Sequence, residues 1–237
     1  MRRVVVYPDA ATVATATAAR LLTVLADLTA SQERVDIVLT GGTVGTATLA
    51  AVGESPLKDT VPWEAVHLWW GDERFVAAGD KDRNEGQAQG ALLDHLPSPS
   101  GNVQRIGSAD DFGSPETATA AYHDELARSG NPEFDVLMLG LGPDGHVASL
   151  FPGHDAYLNG AATVLTVTDS PKPPPIRVTL GLSAINRAKR VWVVAAGEEK
   201  SRAVAECLQG NTTYPGAAVA GTVETLWLID VAAASRS

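Results

Sequence analysis

Short apolar runs alternate along almost the whole chain with longer segments in which apolar and polar positions are mixed at helical spacing. Short apolar runs bounded by turn formers read as buried strands, and the longer mixed segments read as helices. Strands are predicted at Arg3 to Tyr7, Val35 to Thr40, Ala65 to Trp70, Phe134 to Leu139, Ala162 to Val167, Ile176 to Leu180, Arg190 to Ala196 and Thr225 to Asp230. Helices are predicted at Ala10 to Ala30, Thr43 to Val52, Asn84 to His95, Ser114 to Arg128 and Glu198 to Leu208. Near-continuous apolar strands belong to sheets covered on both sides. The expected fold class is therefore α/β, a mostly parallel, Rossmann-like sheet flanked by helices on both faces. In such folds ligands bind beyond the carboxyl ends of the strands, so the residues just after each strand become the functional candidates. Pro97 to Gly101 and Pro171 to Pro175 read as surface loops, and the sequence holds no internal repeat.

Composition narrows the classes. With 237 residues and 45% hydrophobic content the chain can bury a sizeable core, and one domain over residues 1–237 is expected. No stretch is expected to reach the roughly 20 consecutive apolar residues of a membrane span. The apolar run Val4 to Tyr7 stops at Pro8 and Asp9, short of the ~7 to 15 apolar residues of an export signal, so the expected location is cytoplasmic. The single Cys207 allows no internal disulfide, and no Cys/His cluster has zinc-site spacing. A formal net charge of −10 disfavours nucleic acid and anionic lipid as partners. An anionic ligand would have to rely on a few local cations and on backbone N–H groups.

Three strand ends carry candidate chemistry. In Leu39-Thr40-Gly41-Gly42-Thr43, two glycines permit a tight turn with exposed N–H groups, and Thr43 adds a hydroxyl where a helix begins. This turn could cradle an anion or be a plain strand-to-helix turn; the Gly-Lys-Ser/Thr ending of a nucleotide phosphate loop is absent. In Trp69-Trp70-Gly71-Asp72-Glu73-Arg74, two aromatic residues that read as core give way to three charges. These either pair with one another in a solvated turn or leave Arg74 facing a substrate, with Asp72 or Glu73 orienting it or the neighbouring loop. The third end runs from Phe134 through Gly140, Gly142, Asp144, Gly145 and His146 to Phe151. Its glycines match the dinucleotide pattern G-x-G-x-x-G, but a carboxylate at Asp144 would repel a pyrophosphate. The residues suit proton transfer better. Burial and a helix N-terminus keep an imidazole neutral, as a general base must be, whereas a nearby carboxylate favours the charged form. Two later cations join the candidates: Arg177, which begins a strand, and Lys200, in the first turn of a predicted helix, where a positive charge opposes the helix dipole.

Together these segments resemble the 6-phosphogluconolactonase family, which shares its fold with glucosamine-6-phosphate deaminases and isomerases. The resemblance covers nearly the whole chain. It rests on Thr40-Gly41-Gly42-Thr43, on Trp70-Gly71-Asp72-Glu73-Arg74 followed by Asn84, on Leu139 to His146 with Ser149-Leu150-Phe151-Pro152-Gly153, on Arg177-Val178-Thr179-Leu180, and on Gly197 with Lys200. The family's glycine turn usually reads Ser-Gly-Gly-Ser-Thr-Pro, and here Val44-Gly45 replaces its end. The deaminase branch continues after Asp-Gly-His with an Asn-Glu-Pro-type segment whose glutamate takes part in catalysis. Ser149 to Gly153 offers no such carboxylate, which favours the lactonase branch.

The resemblance implies hydrolysis of 6-phospho-D-glucono-1,5-lactone to 6-phospho-D-gluconate in the oxidative pentose phosphate pathway, with no cofactor and no metal. His146 is the expected base, Asp144 its orienting or tuning partner, and Arg74 the stabiliser of the carbonyl oxygen. Gly41, Gly42, Thr43, Asp72, Arg177 and Lys200 are the expected substrate and phosphate contacts. The implied partner is a small sugar-phosphate lactone, with no nucleic acid and no membrane, and the chain is expected to be a monomer. The competing readings are an aminosugar-phosphate deaminase or isomerase, a non-catalytic sugar-phosphate sensor, and, on the glycine pattern alone, a nicotinamide-dependent dehydrogenase.

Overall fold

The computed structural model describes residues 2–97, 100–158 and 161–237. Pro8 and Asp9 end β1 (Arg2–Tyr7), and the Asp9 carboxylate accepts the Thr12 N–H at 2.8 Å, starting α1 (Ala10–Thr29). The chain continues through β2 (Val35–Leu39), α2 (Thr43–Glu54), β3 (Val66–Trp70), β4 (Asp72–Arg74), α3 (Asn84–Ala91), α4 (Pro115–Arg128) and β5 (Val136–Gly140). It ends with α5 (Asp155–Leu158), β6 (Val164–Val167), β7 (Arg177–Leu180), α6 (Leu182–Ile185), β8 (Arg190–Ala195), α7 (Ser201–Leu208) and β9 (Glu224–Asp230).

Among the described residues, one wholly parallel sheet has the order β1-β9-β8-β5-β2-β3, and a smaller antiparallel sheet has the order β4-β7-β6. The α/β class and the mostly parallel, helix-flanked sheet are as expected. The segments 162–167 and 176–180, however, leave the main sheet for the second one. Gly71 is where the chain crosses over: its N–H donates to Leu39 O at 3.3 Å on the large sheet, and its carbonyl accepts the Leu180 N–H at 2.8 Å on the small one.

Helix ends differ from the periodicity for local reasons. The predicted helix Asn84 to His95 breaks after Ala91, where Leu92 leaves helical geometry, and resumes as a 3-10 turn at Leu93–His95. The predicted helix Glu198 to Leu208 opens with a 3-10 turn, Glu198–Lys200, so Lys200 stands at the cap of α7 rather than within its first turn. Within the loop predicted at Pro97 to Gly101, Ser98 and Pro99 lie outside the described residues, and a 3-10 turn follows at Ser100–Asn102. By length and composition α1 is long and apolar enough to cross a membrane, contrary to the expectation that no such stretch exists. Its alanines, leucines and valines raise the mean hydropathy, and of these Val13, Leu21, Leu22 and Leu25 are buried in the core shared with α2 and the sheet.

The Trp pair at the end of β3 is core, as its sequence suggests. Trp69 meets Tyr122 and Phe134 edge-on at 6.0 and 5.9 Å. The Tyr122 hydroxyl donates to Trp70 O at 2.9 Å and accepts the Trp70 N–H at 3.1 Å, which ties α4 to β3. The chain winds outward from β2 to β3 on one side and from β5 to β8 and β9 on the other. The order therefore reverses between β2 and β5, and a crevice opens at their carboxyl ends.

Candidate active site

A cleft of about 260 Å³ occupies that crevice. The Thr40 hydroxyl bridges its floor by accepting the Gly140 N–H at 3.0 Å. Gly41, Gly42, Asp72, Arg74, His146, Arg177 and Lys200 all line it, so seven candidates from five separate stretches of sequence converge. Thr43 does not line this cleft. It lies in an adjoining one of about 290 Å³ that shares Gly41, Gly42 and Lys200 with the first, because Gly42 turns with φ 80° and α2 starts there.

The loop after β5 is built to hold an imidazole. Gly142 N–H donates to His146 O at 2.9 Å, Gly145 N–H donates to Gly142 O at 2.9 Å, and Gly145 has a φ of 79° that disfavours any side chain. A methyl group at Gly142 would overlap the His146 ring and the Asp144 carboxylate. Gly142 and Gly145 of the dinucleotide-like pattern thus serve a tight loop around His146 and Asp144. His146 Nδ1 lies 2.6 Å from Asp144 Oδ1, and the ring packs on Phe151 with centroids 4.6 Å apart. Nε2 has no partner among the described residues, which leaves it as the ring nitrogen open to the cleft. Burial alone would raise the Asp144 carboxyl, but the hydrogen bond and charge of His146, joined by Lys172, outweigh it and hold the group well below the usual carboxylate range. The Asp144 carboxylate can accept a proton-bearing Nδ1, and in that tautomer Nε2 carries the lone pair.

The opposite wall comes from the small sheet. Arg74 donates to Asn84 Oδ1 at 2.5 Å and to Asp82 O at 2.7 Å. Asn84 in turn donates to Asp72 O at 2.9 Å, and its approach is possible because Gly41 carries no side chain there. Asp72 also accepts the Ser149 hydroxyl at 2.6 Å and lies 3.8 Å from Arg177, so it organises this wall. Arg177 spends most of its guanidinium on the carbonyls of Lys172, Pro173 and Pro174, at 3.1, 3.2 and 3.1 Å. Burial pushes Arg177 below its ordinary value; Asp72 opposes that and Arg74 adds to it. Lys200 is pushed down by burial too, opposed by Glu199 and assisted by Lys172. Its Nζ makes no hydrogen bond or ion pair among the described residues. Four cations thus crowd one cleft with few carboxylates between them, a setting that favours an anionic ligand.

The turn Asp72-Glu73-Arg74 divides its charges. Glu73 does not line the cleft; its carboxylate accepts the N–H groups of Asn84 and Glu85 at 2.8 Å each and so caps α3. Burial raises Glu73 to about 7, against the pull of Arg83 and these N–H groups. Sequence reasoning missed Lys172, whose Nζ lies 3.4 Å from Asp144 Oδ1 within the cleft. Its only signal is a lone cation set among the prolines of Pro171 to Pro175. No cluster of metal-ligating side chains occurs among the described residues.

The family model for glucosamine-6-phosphate isomerases/6-phosphogluconolactonase matches residues 8–227. A 6-phosphogluconolactonase of Streptomyces coelicolor is 48% identical over 245 residues, covering 99% of this chain and 94% of that protein. One from Mycobacterium tuberculosis is 41% identical over 240 residues, covering 98% of this chain and 96% of its own length. The crystal structure of a 6-phosphogluconolactonase from Thermotoga maritima superposes with a TM-score of 0.87 at 27% identity, covering 97% of this chain and 100% of that one.

Proposed function

Because the chain belongs to the family of glucosamine-6-phosphate isomerases and 6-phosphogluconolactonases, we propose that the cleft between β2 and β5 carries its chemistry, with His146 as general base. The enzyme is a hydrolase of a lactone ester, converting 6-phospho-D-glucono-1,5-lactone to 6-phospho-D-gluconate. The observation that carries the site assignment is the His146–Asp144 pair, with Nδ1 bonded and Nε2 free to face the cleft.

In this reading Nε2 removes a proton from water as the water oxygen bonds to the lactone carbonyl carbon. The carbonyl oxygen becomes an oxyanion beside Arg74, and Asp144 stabilises the imidazolium that forms. Collapse breaks the bond from the carbonyl carbon to the ring oxygen, which takes the proton back from His146. The carboxylic acid released ionises. Lys200, Arg177 and the N–H groups of the Gly41-Gly42-Thr43 turn receive the phosphate, with Thr43 reaching it from the adjoining cleft. An ester is activated enough that these groups suffice without a cofactor. Deprotonation of a sugar carbon would ask for a further free carboxylate. Among the described lining residues the only one is Asp72, held by Ser149, Asn84 and Arg177. The same reading has the chain act as a single-domain monomer in the cytoplasm.

The test is lactone consumption read as 6-phosphogluconate formation through a coupled dehydrogenase, with the spontaneous opening of the lactone subtracted. His146→Ala is expected to lose about 10²- to 10⁴-fold in kcat. A folded His146→Ala protein that retained the wild-type rate would remove His146 from the base role.

A further inference from the structure

We infer that Lys172 is a positioning residue of the reaction, its ammonium set against the Nδ1 edge of His146 and the Asp144 carboxylate so that it offsets the charge of Asp144 beside the ring. The inference rests on His146 being the base.

The segment carrying Lys172 is pinned from both sides. The Lys172 carbonyl accepts from Arg177 at 3.1 Å and from the Ser170 hydroxyl at 2.9 Å, and the Lys172 N–H donates to the same hydroxyl at 3.2 Å. These bonds fix the backbone from which the side chain enters the cleft. Its ammonium then lies 3.4 Å from Asp144 Oδ1 and 3.3 Å from His146 Nδ1. Within the cleft it meets the Nδ1 edge of the ring, where Asp144 also binds, and makes no contact with Nε2. Lys172 therefore acts through the pair.

The chemistry of the pair explains why a cation is useful there. A carboxylate hydrogen-bonded to an imidazole favours the imidazolium, and an imidazolium has no lone pair with which to accept a proton from water. A positive charge within hydrogen-bonding reach of both partners opposes that bias. Other charges face the ring at greater remove. Arg177 stands across Phe151, 5.7 Å from that ring's centroid, with Asp72 as its counter-charge. Lys200 approaches from the 3-10 turn beside Glu199. Asp169 at the start of the proline-rich segment is paired outward with His154 at 2.7 Å. Lys172 alone among these touches the pair.

The experiment is an NMR titration of the His146 imidazole in wild type, Lys172→Met and Lys172→Arg, with the signal assigned by its loss in His146→Gln. Removing the cation stabilises the protonated ring, so the midpoint is expected to rise by about one pH unit in Lys172→Met. Lys172→Arg keeps the charge and is expected to restore the wild-type midpoint. The acidic limb of kcat/KM is expected to move upward with it. A midpoint unmoved in folded Lys172→Met, or a rate lost equally at every pH, would overturn the inference. The base assignment is checked separately. His146→Gln at wild-type rate would overturn the base role and this inference with it, whereas an inactive His146→Gln beside an unmoved midpoint would overturn the inference alone.

Discussion

Gly142→Ala isolates the geometry of the His146–Asp144 pair, proposed above as the catalytic one, from its chemistry, since no reacting group is removed. The backbone at Gly142 is not left-handed, so alanine fits it without conformational strain. The added methyl would overlap His146 Nδ1 and Cε1 and Asp144 Oδ1. Neither partner can swing away cheaply, because the ring rests on Phe151 and is bonded to Asp144, which Lys172 also holds. Restoring ordinary contact needs a shift on the order of 1 Å, and misplacement of that size costs about 10²-fold in rate, or roughly 2.7 kcal/mol of barrier. The loss is expected mainly in kcat, with KM little changed, because the proposed phosphate contacts lie elsewhere in the cleft. The assay is the coupled lactone reaction with the uncatalysed rate subtracted, alongside a thermal melt to show that the variant is folded. A folded Gly142→Ala enzyme within about threefold of the wild-type kcat would refute the claim that this pair must be held in place.

Two other perturbations separate binding from folding. Lys200→Ala is expected to raise KM for the phosphorylated lactone about 10- to 100-fold and to leave the unphosphorylated lactone unaffected, since a charge-assisted phosphate contact is lost; equal losses on both substrates would contradict the phosphate assignment. Burial holds Glu73 at about 7, above its ordinary 4.5, so the folded protein binds this proton more tightly than the unfolded chain does. The sign follows: unfolding free energy is highest below pH 4.5 and falls as pH rises through 7, by on the order of 3 kcal/mol from this group. Urea melts across that range are expected to show a flatter decline for Glu73→Gln, and an unchanged slope would count against the buried carboxyl.

The parallel sheet and the strand ends are legible in the sequence because two-sided burial leaves apolar runs such as Val136 to Leu139, and the abrupt Gly or charge after each run marks where the chain turns. His146, Asp144 and Arg74 stand out for that reason. The small sheet is hidden because β4 is three charged residues, whose extended form comes from pairing with β7 and not from any periodicity of its own. Its partner β7, and β6 beyond it, are short valine- and leucine-bearing runs that read as strands like those of the large sheet, so sequence alone does not separate them from it. Lys172 is hidden for another reason. Pro171 to Pro175 carries only loop signals, and what brings it to His146 is a tertiary event, the capture of three consecutive carbonyls by Arg177. The separation of Thr43 from the His146 cleft likewise depends on the direction in which Gly42 turns the chain.

The pairing of β1 with β9 sets an order of events for folding. Arg2 lies opposite Thr225 and Tyr7 opposite Asp230, and the Val231 N–H closes on Tyr7 O at 2.9 Å. Among the described residues β1 pairs with β9 alone, so during synthesis it waits unpaired until the eight strands that follow it, β2 to β9, have been made. Contacts of such long sequence separation form late and slowly. Asp230, at the end of β9, also accepts the Gly197 N–H at 3.1 Å, which sets the turn that carries Lys200. A nascent chain can therefore assemble β2, β5 and the His146 loop while the turn that carries Lys200 is still loose, and the cleft gains its full lining only when β9 docks.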